Sequence, residues 1–512
     1  MSNKQKLDLL DILTYTLRRM GRVAKETFNG MKWMLLQKCT LQPLQLIFTM
    51  FLARLVEPEE IGILGLTAIF FAIAGCLADC GFGSALIRKQ DRTEEDVNTL
   101  FWFNASMSLL LASIIFACAP LFVSFFNQPA LLWLTRASAC MMFFNSLGSV
   151  HFTLYRCRRD FKTPAIIQTI VSIFSMPLCI GLAYAGWGAW AIMTQGIFSG
   201  FSILVVIWIV SPWKPRFIFS WKSFKEMFGY GSKLALSGLL DTSFTNVRSL
   251  IIGRFYTPAD LAYYDRGRHL AAVLPTTVCS MLGSVTFPIL ATLQNEPDRL
   301  RQIYRKYLRL FTLIITWACL CIAAYSKPVV AVMYGSKWEE AVIYTQLLCF
   351  GFAIQHIHVI NLNLLTVLGR SDLFLRLEVI KKVLALSVML YCASISVEAM
   401  CTGAVICSYI CLYINTYFSK RLIELTIWQQ LMDYMPLFIL ALITTWVPAW
   451  FIIQMPGLPI LQLIIGGLIS SILYFSILYF LRNNSLNDAL ILIQSRVPTR
   501  MLKRCVSFFV RS

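Results

Sequence analysis

Long apolar runs, each cut off by a short polar turn, fill the chain from about residue 31 to residue 481. A hydrocarbon core about 30 Å thick takes roughly 20 helical residues to cross. Runs of that length, apolar on every side, predict helices set in lipid rather than strands or one-sided surface helices. Spans are expected at about 31–55, 60–87, 99–125, 130–155, 164–185 and 187–210. A polar break follows, SPWKPRFIFSWKSFKE, from Ser211 to Glu226. Six more spans come at 229–255, 260–291, 307–332, 341–368, 373–395 and 398–419, and two at 433–453 and 459–481. The expected architecture is all-α and polytopic, with about 14 transmembrane helices grouped six, six and two. The expected parts are a cytoplasmic amphipathic segment at 1–28, an N-lobe at 29–210, a cytoplasmic linker at 211–226, a C-lobe at 227–420, two extra helices at 421–484 and a basic cytoplasmic tail at 485–512.

One pattern occurs twice. LARLVEPEEIG, from Leu52 to Gly62, returns as IGRFYTPADLA, from Ile252 to Ala262, so that Arg54 answers to Arg254, Pro58 to Pro258 and Glu60 to Asp260. Gly83 and Ser84 answer to Gly283 and Ser284 at the same offset, and Arg159 finds a counterpart in Arg370. Six spans separate the copies, so both enter the membrane from one side. That predicts two lobes related by a parallel pseudo-two-fold axis along the membrane normal, able to rock about a site between them.

Charge orients the spans. Turns such as EPEE at 57–60, FNQPA at 126–130 and AGWG at 185–188 carry no Lys or Arg. The alternate turns are rich in them: Arg88, Lys89 and Arg92; Arg156, Arg158, Arg159 and Lys162; Lys214, Arg216, Lys222 and Lys225; Arg299, Arg301 and Arg305. Positive residues stay inside, so both termini and the basic turns are expected in the cytoplasm. Residues 1–28 lack the short apolar core and cleavage site of a signal peptide. The composition agrees: 58% of residues are hydrophobic and 14% charged, against about 25% charged in soluble domains, and mean hydropathy is +0.67. The net charge of +19 follows from the inner turns and, with no nucleic-acid motif present, argues for no nucleic-acid partner. The 16 cysteines are scattered, mostly in apolar runs, with no CxxC.

Ionisable residues at membrane depth mark function by default. The seventh span carries Asp241 and Arg248. The eighth opens with YYDRGRHLA, placing Asp265, Arg266, Arg268 and His269 within three turns of the outer surface. The tenth carries His356, His358, Asn361 and Asn363, and the eleventh Arg376, Glu378, Lys381 and Lys382. The first lobe is quieter, with Asp79, Arg136, Asn145 and His151. At 1.5 Å per residue, Arg248 and Arg266 lie roughly 9–10 Å below the outer surface, and Asp265 can neutralise only one of them. The excess positive charge suits an anion, and guanidinium matches phosphate with two prongs. The cationic candidates are Arg248, Arg266, Arg268, Lys382, Arg54 and Arg254, with Asp241, Asp265, His269, Asn361 and Asn363 in support. Arg54 and Arg254 suit a structural role at the outer rim equally well. His356 and His358 stand two apart with no third ligand, so no metal is expected. No nucleotide, serine-hydrolase or zinc-protease motif occurs, and the outer turns are too short to hold reacting groups. A non-enzyme is expected, with a membrane polymerase or ligase least favoured.

LARLVEPEEIGILGL, LADCGFGSALIRK, SGLLDTSFTNVRSLIIGRFY, LAYYDRGRHLA and INLNLLTVLGRSDLFLRLEVIKK carry a resemblance over roughly residues 30–430. The chain resembles the polysaccharide transporter branch of the multidrug/oligosaccharidyl-lipid/polysaccharide exporter superfamily. The resemblance implies two six-helix lobes in a V and a bacterial inner-membrane location. It implies alternating-access flipping of undecaprenyl-pyrophosphate-linked oligosaccharides, for O-antigen, capsule or exopolysaccharide. Membrane lipid and the polysaccharide polymerase machinery are the further partners it suggests. No cofactor is implied, and a coupling cation stays unidentified. A multidrug-type or other lipid exporter of the same fold is the alternative, although an acidic, aromatic cavity would suit cationic drugs better than this basic second lobe.

Overall fold

The described residues of the expected spans fall mainly on helix in the computed structural model, which describes residues 33, 36–37, 40–294 and 296–481. The side chains at 281, 283–285, 287–289 and 371 lie outside the description, as do the expected segments at 1–28 and 485–512 and the Gly283–Ser284 counterpart's side-chain contacts. The chain runs as α1 (40–55), α2 (Pro58–Asp79), α3 (Phe82–Arg88), α4 (Glu94–Phe126), α5 (Leu131–Cys157), α6 (Lys162–Tyr184), α7 (Ala189–Val210) and α8 (Trp221–Phe255). It continues as α9 (Pro258–Ala291), α10 (Pro297–Ala324), α11 (Ser326–Met333), α12 (Ala341–Phe352), α13 (Gln355–Val367), α14 (Ser371–Cys392), α15 (Val397–Ile423), α16 (Ile427–Gln454) and α17 (Pro459–Phe480).

Among the described residues, nine helices are long and apolar enough to cross a membrane, counting α2–α3 and α12–α13 as one each. The longer helices that fall short are α5, α8, α9 and α14. These carry Arg136 and His151, Asp241 and Arg248, the Asp265–His269 cluster, and Arg376 to Lys382 respectively. The count of 14 therefore rests on these four and on α1, whose described part is short.

The repeat is legible in local structure. Helix stops at residue 55 and again at 255; two non-helical residues follow, and Pro58 and Pro258 open α2 and α9. Val56 donates its N–H to Leu52 O at 2.9 Å, and Tyr256 to Ile252 O at 2.9 Å. Proline belongs at a helix start because its missing N–H would have no intrahelical partner there. The second pairing shifts by one residue. Arg159 N donates to Arg156 O and Asp160 N to Tyr155 O, while Gly369 N donates to Thr366 O and Arg370 N to Leu365 O. Arg159, with φ 58°, thus stands opposite Gly369, with φ 69°, and Arg370 stands opposite Asp160.

The chain forms two compact units, the first up to Ala259 and the second from Asp260. The expected lobe boundary was the 211–226 linker, but α8 packs within the first unit. The reason is a seam of small residues. A Cβ on Gly81 would come within 2.6 Å of Gly231 O, and one on Gly231 within 2.6 Å of Cys80 O. Backbones this close exclude any side chain, as at small-residue interfaces between membrane helices. The linker itself is stitched to α4. Arg216 N donates to Asn98 Oδ1 at 2.7 Å, Ser220 N to Thr99 Oγ1 at 2.9 Å, and Trp102 Nε1 to Arg216 O at 2.8 Å. Thr93 and Asp96 close a capping box at the start of α4. Lys89 then bridges Asp96 at 3.0 Å and Glu226 at 2.9 Å. The Glu226 hydrogen bond is the main reason the Lys89 ammonium is held above its ordinary pKa.

In the second unit the two extra helices are tied to the rest. Arg305 of α10 makes a two-pronged contact with Asp433 of α16, Nε to Oδ2 at 2.7 Å and an Nη to Oδ1 at 2.9 Å. Above it a core of Leu300, Tyr304, Leu308, Ile357, Leu364 and Tyr434 joins α10, α13 and α16. Tyr474 of α17 donates to Leu313 O at 3.2 Å.

Candidate functional site

The residues nominated from sequence divide between the units. Arg54, Asp241, Arg248 and Arg254 belong to the first; Asp265, Arg266, Arg268, His269, Asn361, Asn363 and Lys382 belong to the second. Arg54, Asp241 and Arg254 are exposed, and Arg248 is half-buried on α8. Arg254 lies over the Phe125 ring, 5.0 Å from its centroid.

Among the second-unit residues, Arg266 and Asn361 are engaged internally. The Arg266 guanidinium sits 5.8 Å from the ring centroids of both Tyr334 and Trp338, two buried aromatics just beyond α10. Asn361 donates to Ile357 O at 2.9 Å and to Gln430 Oε1 at 3.2 Å, and Ser419 donates to its Oδ1 at 2.5 Å. Nearby, Asn415 contacts His358 Nδ1 at 2.9 Å, and Thr312 contacts His356 Nε2 at 2.8 Å. Among the described residues, the contacts of Arg266 and those of Asn361 have no residue in common. Arg268 differs from both. It is half-buried in α9 and has no hydrogen-bond or ion-pair partner among the described residues. One face of its helix is packed: Gly267 lies so close to α12 that a Cβ there would come within 2.9 Å of the Tyr344 side chain. Lys382 is half-buried on α14, one residue from Lys381, which pairs with Glu378 at 2.5 Å.

A cavity of about 270 Å³ lies wholly in the first unit, where sequence reasoning saw little. Asp79, Asn104, Ser138, Asn145, Ser146 and Ser149 supply its polar wall. It forms where the second span breaks. Cys80 and Gly81 take left-handed φ of 45° and 68°, ending α2 at Asp79 and starting α3 at Phe82. The Asp79 carboxylate lies against the start of α3, where a Cβ on Gly83 would come within 3.2 Å of its Oδ1. The Asn104 Oδ1 is buried with no partner. The signal available in sequence was the glycine interruption, DCGFG, inside an otherwise continuous apolar span, a known pointer to substrate or ion sites.

The model of the polysaccharide biosynthesis protein family matches residues 51–343, more than half the chain. The chain belongs to that family. Among curated proteins, this family member is 22% identical over 356 residues to the teichuronic acid biosynthesis protein TuaB of Bacillus subtilis (strain 168), covering 69% of this chain and 74% of that one. It is 22% identical over 367 residues to the lipopolysaccharide biosynthesis protein WzxC of Escherichia coli (strain K12), 70% and 73% of the two chains. Its fold is that of the lipid II flippase MurJ in an inward closed conformation, with TM-score 0.68, 12% identity and coverage of 87% of this chain and 99% of that one. An inward-facing multidrug resistance MATE family transporter follows at TM-score 0.59 and 15% identity, covering 76% and 94%. The family member is thus a multi-pass membrane protein with an all-α transporter fold.

Proposed function

We propose that this chain flips undecaprenyl-pyrophosphate-linked oligosaccharide units across the bacterial inner membrane by alternating access, both termini facing the cytoplasm. Relatives named for teichuronic acid and lipopolysaccharide biosynthesis support the substrate class, and the fold of a lipid II flippase supports the transport mode. The observation that carries the reading at residue level is Arg268, a guanidinium in a membrane-depth helix with no internal partner among the described residues. A charge held at such depth is costly, on the order of 3 kcal/mol on insertion scales, unless water or a counter-charge meets it. A pyrophosphate headgroup is that counter-charge.

The chemistry is binding and release, with no bond made or broken. Pyrophosphate and hydrated sugars cannot enter hydrocarbon, so polar side chains replace their water while the polyprenyl tail stays in lipid. Transport requires moderate affinity in each state, because a ligand shifts the equilibrium only by its difference in affinity between them. Arg248, Lys382, Arg54 and Arg254 are the secondary candidates for the headgroup path. The polymerase machinery that consumes the exported units is the expected downstream partner.

Depletion of the protein should make lipid-linked glycan accumulate on the inner leaflet; unchanged export after depletion overturns the flippase reading. Arg268→Ala should lower export about tenfold or more with unaltered expression and thermal stability, and Arg268→Lys should restore it only in part, since an ammonium keeps the charge but loses the fork. Full export by a verified Arg268→Ala variant removes that residue from the path.

A further inference from the structure

We infer that Arg136, held against Phe116 and Trp133 on the side of α4 and α5 that faces away from the first-unit cavity, binds the phosphate of a phospholipid in the leaflet beside the α4–α5 turn. That this is the outer leaflet rests on the topology proposed above. Three observations converge on the site.

The first is an unmet charge. Between Asp96 and Arg156 the chain holds no Lys, Arg, Asp or Glu other than Arg136, so no carboxylate along α4 or α5 stands near enough in sequence to pair with it. None reaches it from elsewhere either. Arg136 makes no ion pair or hydrogen bond among the described residues, and its Nε is buried without a partner. Its contacts are with rings: the guanidinium carbon lies 4.9 Å from the Phe116 centroid and 4.9 Å from that of Trp133. A ring face attracts the positive charge but leaves the donors in the guanidinium plane to find acceptors. The Trp133 indole N–H also meets no acceptor among the described residues.

The second is direction. At 3.6 residues per turn, the cavity-lining Ser138, Met142, Asn145 and Ser149 stand on the opposite side of α5 from Arg136. On the Arg136 side, Trp133 is 60% exposed and Phe116 44%, and Cys140 one turn on is exposed. In a membrane that side meets lipid, so the missing acceptor has to come from the bilayer.

The third is depth. Arg136 is rooted five residues, about 7.5 Å, past the start of α5, and Phe116 ten residues, about 15 Å, before the end of α4. Side chains on a helix lean toward its N-terminus, which for α4 is the far end, so the Phe116 ring lies deeper still. Contact with that ring draws the guanidinium inward, whereas a snorkelling arginine would turn out to water. A charge kept there is met by headgroups and water drawn toward it. Two phosphate oxygens match two parallel guanidinium N–H groups and cancel the charge. Phospholipid offers that phosphate at the lipid-facing surface, whereas a free phosphate ion would have to give up its water to reach it.

The test is native mass spectrometry of the purified full-length chain in non-ionic detergent. The probe is dioleoylphosphatidylglycerol; the control is dioleoylglycerol, with the same chains and no phosphate. Wild type should hold one phosphatidylglycerol that Arg136→Gln binds about tenfold more weakly, as expected for losing a hydrogen-bonded charge. Trp133→Leu should weaken the same site about threefold, and Arg136→Lys should retain part of the binding because the charge stays while the fork is lost. Trp133→Leu alters an exposed side chain and decides the matter if the Arg136 variants do not fold. Undiminished phosphatidylglycerol binding by folded Arg136→Gln or by folded Trp133→Leu overturns the inference. Equal retention of dioleoylglycerol by wild type overturns the phosphate assignment. Displacement of the phosphatidylglycerol by equimolar inorganic phosphate, or by equimolar undecaprenyl phosphate, overturns the phospholipid assignment, the latter by giving the site to the substrate path. The assay involves no transport and no choice of leaflet, so it can fail while the flippase reading stands, and the reverse.

Discussion

In the second unit, Asn361 donates to Ile357 and Gln430 and accepts from Ser419. In the first unit, Asn104 keeps a buried Oδ1 with no partner and lines a cavity. Both are asparagines at membrane depth, and hydropathy treats them alike. The second unit also holds buried acceptors without partners, such as Asn415 Oδ1, but that atom lies where α13 packs on α15 and its amide contacts His358. The richer half in polar residues is therefore in good part the knitted half, and the quieter half holds the cavity lined by Asp79, Asn104 and Asn145. Polar content alone does not separate a site from a scaffold; the direction of the unused lone pairs does.

The largest effect that would sharpen this contrast is at Asp433. Its two-pronged bond to Arg305 leaves the carboxylate 6% exposed and the guanidinium 33% exposed. Asp433→Ala should cost about 3 kcal/mol, the loss typical of breaking one side of a buried pair. Thermal unfolding in detergent reads it, and Arg305→Met with Asp433→Leu should recover most of the loss. A single variant as stable as wild type would show that the extra helices are not held by this pair.

Asn361→Leu comes next. It strands Gln430 Oε1 and the Ser419 hydroxyl in an apolar contact and should cost about 2 kcal/mol, seen in the same unfolding measurement. If it unfolds normally but exports poorly, Asn361 belongs to the transport path and the contrast between units weakens.

Arg266→Ala removes the guanidinium from the Tyr334 and Trp338 rings, worth about 1 kcal/mol at a partly desolvated site. Export should fall only in proportion to the folded protein, measured by folded yield beside glycan export. A stable Arg266→Ala chain that exports nothing would restore Arg266 to the substrate path.

The smallest effect is expected in the first unit. Asn145→Ala, on the cavity wall, should change stability by no more than about 0.5 kcal/mol. A loss as large as that at Asp433 would mean that the cavity wall is structural, and the comparison would fail.

Much of the fold is fixed by one-dimensional information. A run of about 20 apolar residues can satisfy its backbone in lipid only as a helix, so the spans follow from the sequence, and so do the helix starts at Pro58 and Pro258, where proline admits little else. The repeat is also local: the matched stretches at 52–62 and 252–262 take the same turn. Four long helices miss the apolar threshold because they carry polar groups that meet other polar groups, as His151 of α5 meets Ser211 at 3.0 Å and Lys381 of α14 meets Glu378, and hydropathy assumes that every side chain faces lipid.

What only the tertiary structure decided is who stands next to whom. Arg266 and Arg268 are two residues apart with the same side chain. Yet one lies against Tyr334 and Trp338, brought from some 70 positions away by the turn after α10, while the other has no such neighbour among the described residues. The α8 helix reads as the first helix of the second lobe, but Gly81 and Gly231 let its backbone approach the break between α2 and α3, and it packs with the first unit. Asp79 and Asn104 are 25 residues apart on different helices, and both line one cavity beside the break at Cys80 and Gly81. Side-chain partnership depends on distances of a few ångströms between segments far apart in the chain, and no pattern along a single strand of sequence encodes them.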